Sequence, residues 1–276
     1  MTVVANKDTN SVQPHSPLAD AKRSFDTGAR ILLLNPNTST GMTDRLLAAA
    51  RLVAAPSTEI VPVTASRGVP YIATRAESII GGAIALEMLA EYEDGVDAAV
   101  IAAFGDPGLG GAREMFSKPV IGLAEAGMLT ACMLGRSFAI VTFAQALEPW
   151  YRECVAWHGL TGRCAGIRTL GERFRSVLDV QEEKEAALIE LARRAVEEDG
   201  ADVVLLAGAP LAGMAAQVRD RIPVPVVDCM GAAIKQLEGL VALNPRKAIA
   251  GTFRRPAPKP AIGLPAPLQN WISREG

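Results

Sequence analysis

The strongest constraint on this chain is that it repeats itself. EDGVDAAVIAAFGDPG, from Glu93 to Gly108, returns as EDGADVVLLAGAPLAG from Glu198 to Gly213. Each copy is an acidic turn, an apolar run and a loop rich in Gly, Pro and Ala. A run that is apolar throughout suits a strand buried on both faces of a parallel sheet, and such sheets bind ligands at the loops that leave their strands. Two copies predict two similar lobes, with a site where the two loops face each other.

The repeat extends in both directions. KPVIGLAEAGMLTACML from Lys118 has a looser counterpart in VPVVDCMGAAIKQLEGL from Val224, each a short apolar strand running directly into a helix. Upstream, RILLLNPNTSTGMT from Arg30 and RSFAIVTFAQAL from Arg136 each supply a further strand with a Thr at or near its exit. Each half reads strand, helix, strand, helix, strand, loop, helix, strand, helix, which predicts an α/β fold with a parallel sheet per half. The expected organisation is an N-terminal tail (1–28), a first α/β lobe (29–134), a second (135–228), a helix packing back toward the first lobe (229–248) and a Pro-rich C-terminal tail (249–276). That last segment carries five prolines together with Leu264, Leu268, Trp271 and Ile272. It is expected either to lie extended over its own surface or a neighbouring subunit, or to be disordered.

Composition narrows the function. A net charge of −2, scattered Lys and Arg, and few aromatics exclude a basic or stacking surface for nucleic acid. No run approaches a membrane span, and the first residues lack a basic region followed by a sufficiently long apolar core, so a cytoplasmic protein is expected. Cys132, Cys154, Cys164 and Cys229 show neither CxxC nor His-rich spacing, which predicts free thiols and no metal site. The expected partners are a small-molecule substrate and further copies of the same chain.

The loops supply the candidate chemistry. Asn35 to Thr40 precede a helix, and their polar side chains with the helix N–H groups form a candidate cradle for a carboxylate or ureide carbonyl, through Asn35, Asn37 and Thr38. Any strand-to-helix turn also favours these residue types. In the loop from Ala103 and Phe104, Asp106 is a candidate general base, or else fixes the turn by accepting backbone N–H bonds. Glu125 sits at a helix start, where the dipole alone favours a carboxylate. The second half offers Thr142 at a strand exit, Gly208 and Ala209 in the repeated loop, and Asp228 with Cys229 at another strand exit. Cys229 near a helix N-terminus is a candidate low-pKa thiol, or a buried inert one. His158, following an amphipathic stretch, reads as a helix-end residue without a placed partner.

The blocks LLLNPNTSTGMT, VIAAFGDPGLGGARE, PVIGLAEAGMLTACMLGRSFAIVTF and PVPVVDCMGAAIKQLEGLV resemble, in order from Ile31 to Leu243, the hydantoin and allantoin racemase branch of the aspartate/glutamate racemase superfamily. The resemblance implies two pseudo-symmetric α/β lobes, an active site in the cleft between them, and no metal or organic cofactor. It also implies two cysteines, one per lobe, each six residues after the Asp that opens its strand, which pass a proton across the substrate's acidic carbon. Counting from Asp97 and Asp202 leads to Ala103 and Gly208, and neither carries a thiol. A two-thiol racemase is therefore excluded. What is expected instead is an enzyme on a small cyclic ureide, amide or amino-acid-type substrate using Asp106, Glu125, Asp228 or Cys229. The alternatives are a hydrolase or lyase on the same scaffold, a non-catalytic binding protein, or an unrelated α/β enzyme.

Overall fold

A computed structural model describes residues 28–171 and 174–274. The expected N-terminal tail, apart from Gly28, lies outside the described residues. The first half runs β1 (Arg30–Asn35), α1 (Thr40–Arg51), β2 (Glu59–Thr64), α2 (Arg75–Tyr92), β3 (Ala98–Ile101), α3 (Leu109–Met115), β4 (Val120–Gly122) and α4 (Leu123–Leu134). The second runs β5 (Phe138–Thr142), α5 (Glu148–Trp157), β6 (Cys164–Thr169), α6 (Val180–Glu197), β7 (Val203–Leu206), α7 (Ala215–Val218), β8 (Val226–Asp228) and α8 (Cys229–Leu243). A last helix, α9, spans Ala266–Ser273.

The strands form two four-stranded parallel sheets, ordered β2-β1-β3-β4 and β6-β5-β7-β8. The duplicated apolar runs are β3 and β7, buried at every residue, as strands inside a sheet covered on both faces must be. Edge strand β2 is half-buried and carries Pro62, which an edge tolerates because no ladder donor is needed there. The repeat extends to the strand entries. Asp97 accepts from the Arg30 backbone N–H at 2.8 Å, and Asp202 accepts from those of Arg136 and Ser137 at 2.9 Å. Each aspartate ties its own strand to the first strand of its lobe.

The lobes exchange helices. α4 packs against β7 of the second sheet, while α8 returns to β3 of the first, and the two helices pack on each other between the sheets. Gln236 of α8 donates to the Ala126 carbonyl at 2.9 Å and the Thr130 hydroxyl at 3.0 Å on α4. Glu238 of α8 accepts from the Ala55 N–H and the Thr58 hydroxyl of the first lobe, both at 2.7 Å. One continuous core therefore runs through both sheets.

The Pro-rich segment, over its described part, lies on the first lobe, with α9 against α2. Trp271 packs edge-on to Phe116 at 4.8 Å, under the guanidinium groups of Arg255 and Arg274. Among the described residues no helix is long and apolar enough to cross a membrane.

Candidate functional site

The loops leaving β3 and β7 meet between the lobes. Ala103 and Gly208 line one cavity of about 20 Å³, together with Asn37, Phe104 and Ala209. The other walls are Met42, Tyr71, Ile72 and Tyr151. This volume holds about one water, against the roughly 300–1,000 Å³ of pockets that hold drug-sized ligands. The cleft is closed. The segment between β2 and α2, which carries Tyr71 and Ile72, shuts one side, pinned where the Thr38 N–H donates to the Val69 carbonyl at 2.9 Å.

Gly208 shows that more than a side chain distinguishes its loop. Its φ is 102°, a left-handed conformation that L side chains rarely adopt, and a Cβ there would lie 2.8 Å from Phe143 and 3.3 Å from the Tyr151 hydroxyl. A cysteine does not fit this backbone. The space beside Gly208 is taken by the Phe143 ring and the phenol of Tyr151, whose ring packs tilted against Phe104 at 4.4 Å.

The rest of the expected cradle is occupied with itself. Asn35 is fully buried and donates to the Asn37 side chain, the Ser39 carbonyl and the Thr43 hydroxyl, at 3.0–3.1 Å. Ser39 caps α1 by accepting from the Met42 N–H. Thr142, also fully buried, donates to the Ala207 carbonyl at 3.0 Å. Asn35, Thr38 and Thr142 therefore shape the walls without lining the cavity; of the expected binding residues, Asn37, Ala103, Phe104, Gly208 and Ala209 line it.

None of the four expected catalytic residues lines the cavity, and each has another occupation. Asp106, at φ 51°, accepts from the Ala124 and Glu125 N–H groups at 2.8 and 2.9 Å, capping α4. Asp228 caps α8 by accepting from the Gly231 N–H at 2.9 Å, and also takes the Gly213 N–H at 2.6 Å. The two caps are pseudo-symmetric. Gly122 ends β4 as Asp228 ends β8, and a Cβ on Gly122 would fall 2.1 Å from the Asp106 carboxyl carbon. Asp106 thus fills from the neighbouring loop the space that Asp228 fills from its own strand. Burial raises the pKa of both carboxyls, against the lowering by their hydrogen bonds.

Glu125 is held in a two-pronged ion pair by Arg113, whose Nη1 lies 2.7 Å from Oε1. The Cys229 thiol donates to the Leu206 carbonyl at 3.3 Å, and burial drives its pKa well up, opposite to the helix-terminus expectation. Burial outweighs the dipole because the thiol has no cation beside it and the nearby charges, Asp228 and Asp106, are negative.

The partner that sequence reading denied His158 is Asp106. Their Nε2–Oδ2 distance is 2.9 Å, and Glu125 lies 3.7 Å from Nδ1. His158 ends α5 and comes onto Asp106 only through the packing of that helix on the β3 loop. Asp106, Cys154 and His158 also form the one cluster among the described residues whose ligand atoms, all within 4.8 Å of one another, could hold a metal ion. Both Asp106 oxygens are already committed to the α4 N–H groups and His158, which argues for a structural network.

The residues missed altogether are Tyr71 and Tyr151. Tyr151 signals itself weakly in EPWYRECVAWHGL, where Trp150, Tyr151, Cys154 and Val155 recur at helical spacing on the buried face. Tyr71 has no such signal. It stands in an irregular segment, GVPYIAT, with no periodicity to read.

Comparison with known proteins agrees with this architecture. The family described as Asp/Glu/Hydantoin racemase matches residues 31–237. A hydantoin racemase of Paenarthrobacter aurescens is 36% identical over 237 residues, covering 83% of this chain and 98% of that protein. Among solved structures, the allantoin racemase from Klebsiella pneumoniae superposes with a TM-score of 0.81 at 37% identity, covering 88% of this chain and 99% of its own. The allantoin racemase from Pseudomonas fluorescens gives 0.79 at 34% identity, covering 85% and 100%.

Proposed function

Because the chain belongs to the Asp/Glu/hydantoin racemase family, we propose that it is a cofactor-independent isomerase acting at the acidic carbon of a small cyclic ureide, in the hydantoin and allantoin class, without cysteine thiols. The observation that carries this reading is that Ala103 and Gly208 line one cavity from opposite lobes. A substrate held there is approached from two sides, as inversion at carbon demands.

Proton transfer requires a carrier within about 3 Å of the carbon served, and neither methyl nor hydrogen can be one. The cavity's polar side chains are Asn37, Tyr71 and Tyr151. Burial raises the thiols of Cys154 and Cys229, so little thiolate forms at neutral pH, and the carboxylates of Asp106, Glu125 and Asp228 are spent on caps and an ion pair. These facts leave the cavity's phenol hydroxyls as hydrogen-bond donors to the substrate, with a solvent water or hydroxide admitted beside it to carry the proton. Substrate entry displaces the segment of Tyr71 and Ile72, so binding is coupled to opening of the cleft. A cytoplasmic setting belongs to the same proposal, supported by four cysteines that are all free.

A second reading, a binding protein without turnover, draws on the absence of any Asp, Glu, His, Lys or Arg from the cavity lining. The two separate when the protein is incubated with 5-substituted hydantoins, allantoin and 2-substituted acids in D₂O under proton NMR. Exchange at the stereogenic carbon is the expected result. Ring opening makes the protein a hydrolase, and binding without exchange makes it a binder.

A further inference from the structure

We infer that Tyr71 is a catalytic hydrogen-bond donor, meeting the substrate's carbonyl oxygen in the interlobe cavity, so that the ligand must carry an acceptor oxygen beside its acidic carbon. This rests on the isomerase reading above. Among the described residues, the Tyr71 hydroxyl is the one buried side-chain polar atom with no hydrogen-bond partner, and its side chain lines the cavity of Ala103 and Gly208. Leaving such a group unsatisfied costs about 1–3 kcal/mol, a cost a phenylalanine would avoid. Its ring already sits in aromatic surroundings, 5.9 Å from Phe143, so packing alone gives no reason for a hydroxyl.

Tyr151 provides the contrast. Its hydroxyl lies beside Thr142, whose own proton goes to the Ala207 carbonyl and whose oxygen is open to accept. The Tyr71 donor is free for a ligand. Burial holds the Tyr71 phenol above its ordinary pKa, so it is protonated at neutral pH and acts as a donor rather than as the base.

The chemistry gives such a donor a role. When the C–H bond at the acidic carbon breaks, the proton goes to a solvent hydroxide admitted with the substrate, which becomes water, and the electron pair moves into the adjacent carbonyl, producing an enolate. Negative charge then gathers on the oxygen that faces the Tyr71 hydroxyl. Return of a proton from water to either face of the carbon regenerates the carbonyl and the hydroxide, and the phenol keeps its own proton throughout. A donor brought back against the substrate as the cleft recloses stabilises the enolate more than the ground-state carbonyl, which lowers the barrier without tightening substrate binding.

The test compares wild type with Tyr71→Phe, using 5-methylhydantoin in D₂O for C5 exchange, calorimetry for its affinity and thermal unfolding for the fold. The expected result is a loss of roughly 10²–10³ in exchange rate, by analogy with removal of an oxyanion donor. Affinity should stay within a few fold, and the variant should melt no lower than wild type. A wild type that exchanges C5 hydrogen at the same rate as Tyr71→Phe overturns the inference and leaves the isomerase reading standing. Lost exchange with a lowered melting temperature assigns Tyr71 to the fold and also overturns it. A wild type that neither binds nor exchanges the hydantoin refutes the isomerase reading, and the inference with it.

Discussion

Exchanging the two helix caps tests whether Asp106 is structural. Asp106→Gly removes the carboxylate from the Ala124 and Glu125 N–H groups, and strands His158. Hydrogen bonds to a charged group contribute about 1.5–3 kcal/mol each, so the two backbone bonds amount to about 3–6 kcal/mol. Glycine at φ 51° recovers about 1 kcal/mol of left-handed strain, leaving a net loss of about 2–5 kcal/mol. Gly122→Asp alone drives a Cβ to 2.1 Å from the Asp106 carboxyl carbon and crowds two carboxylates into one buried space. It should cost more than about 4 kcal/mol. The double variant Asp106→Gly/Gly122→Asp rebuilds in the first lobe what Asp228 does in the second, since Gly122 has φ −95° and ψ 155° and Asp228 has −88° and 122°. Urea denaturation should place it within about 1 kcal/mol of wild type, a large coupling between two damaging changes. Additive losses in the double variant would refute the shared-space argument.

Two further outcomes follow from the geometry. Gly208→Ala should destabilise by about 2–4 kcal/mol, through strain at φ 102° and the 2.8 Å approach to Phe143; a variant as stable as wild type would show that the loop tolerates a side chain after all. Glu198, paired with Arg194 and Arg168, has its pKa lowered from 4.5 to about 2, so its contribution is present above the unfolded value and lost as pH falls through the folded one. Glu198→Gln should be slightly less stable than wild type near neutral pH, with a gap that closes toward about pH 2; because the carboxylate is half exposed, the gap is small, and one that widens in acid would contradict the assignment.

Much of this architecture was legible in the repeat. Buried strands β3 and β7 are continuous apolar runs, and Asp97 and Asp202 mark equivalent entries, so Ala103 and Gly208 could be brought to one place by counting alone. The chemistry was less legible, because a carboxylate at a helix start has the same sequence signature whether it caps or catalyses. Asp106 reaches the Ala124 and Glu125 N–H groups only through tertiary contact, and Asp228 adds the distant Gly213 N–H to its local cap on Gly231. His158 needed α5 to be docked before its partner existed. Tyr71 was invisible for a different reason: its significance is a hydrogen bond it does not make, and no local pattern encodes that.

The central claim is carbon-acid chemistry between the lobes without thiols. It is tested most directly by C5 hydrogen exchange of 5-methylhydantoin in D₂O, catalysed by a folded variant lacking all four cysteines: Cys132→Ser, Cys154→Ala, Cys164→Ser and Cys229→Ala. Exchange close to the wild-type rate is the predicted result. A wild type that exchanges the C5 hydrogen while the cysteine-free protein, still folded, does not would contradict the account and return the chemistry to a thiol.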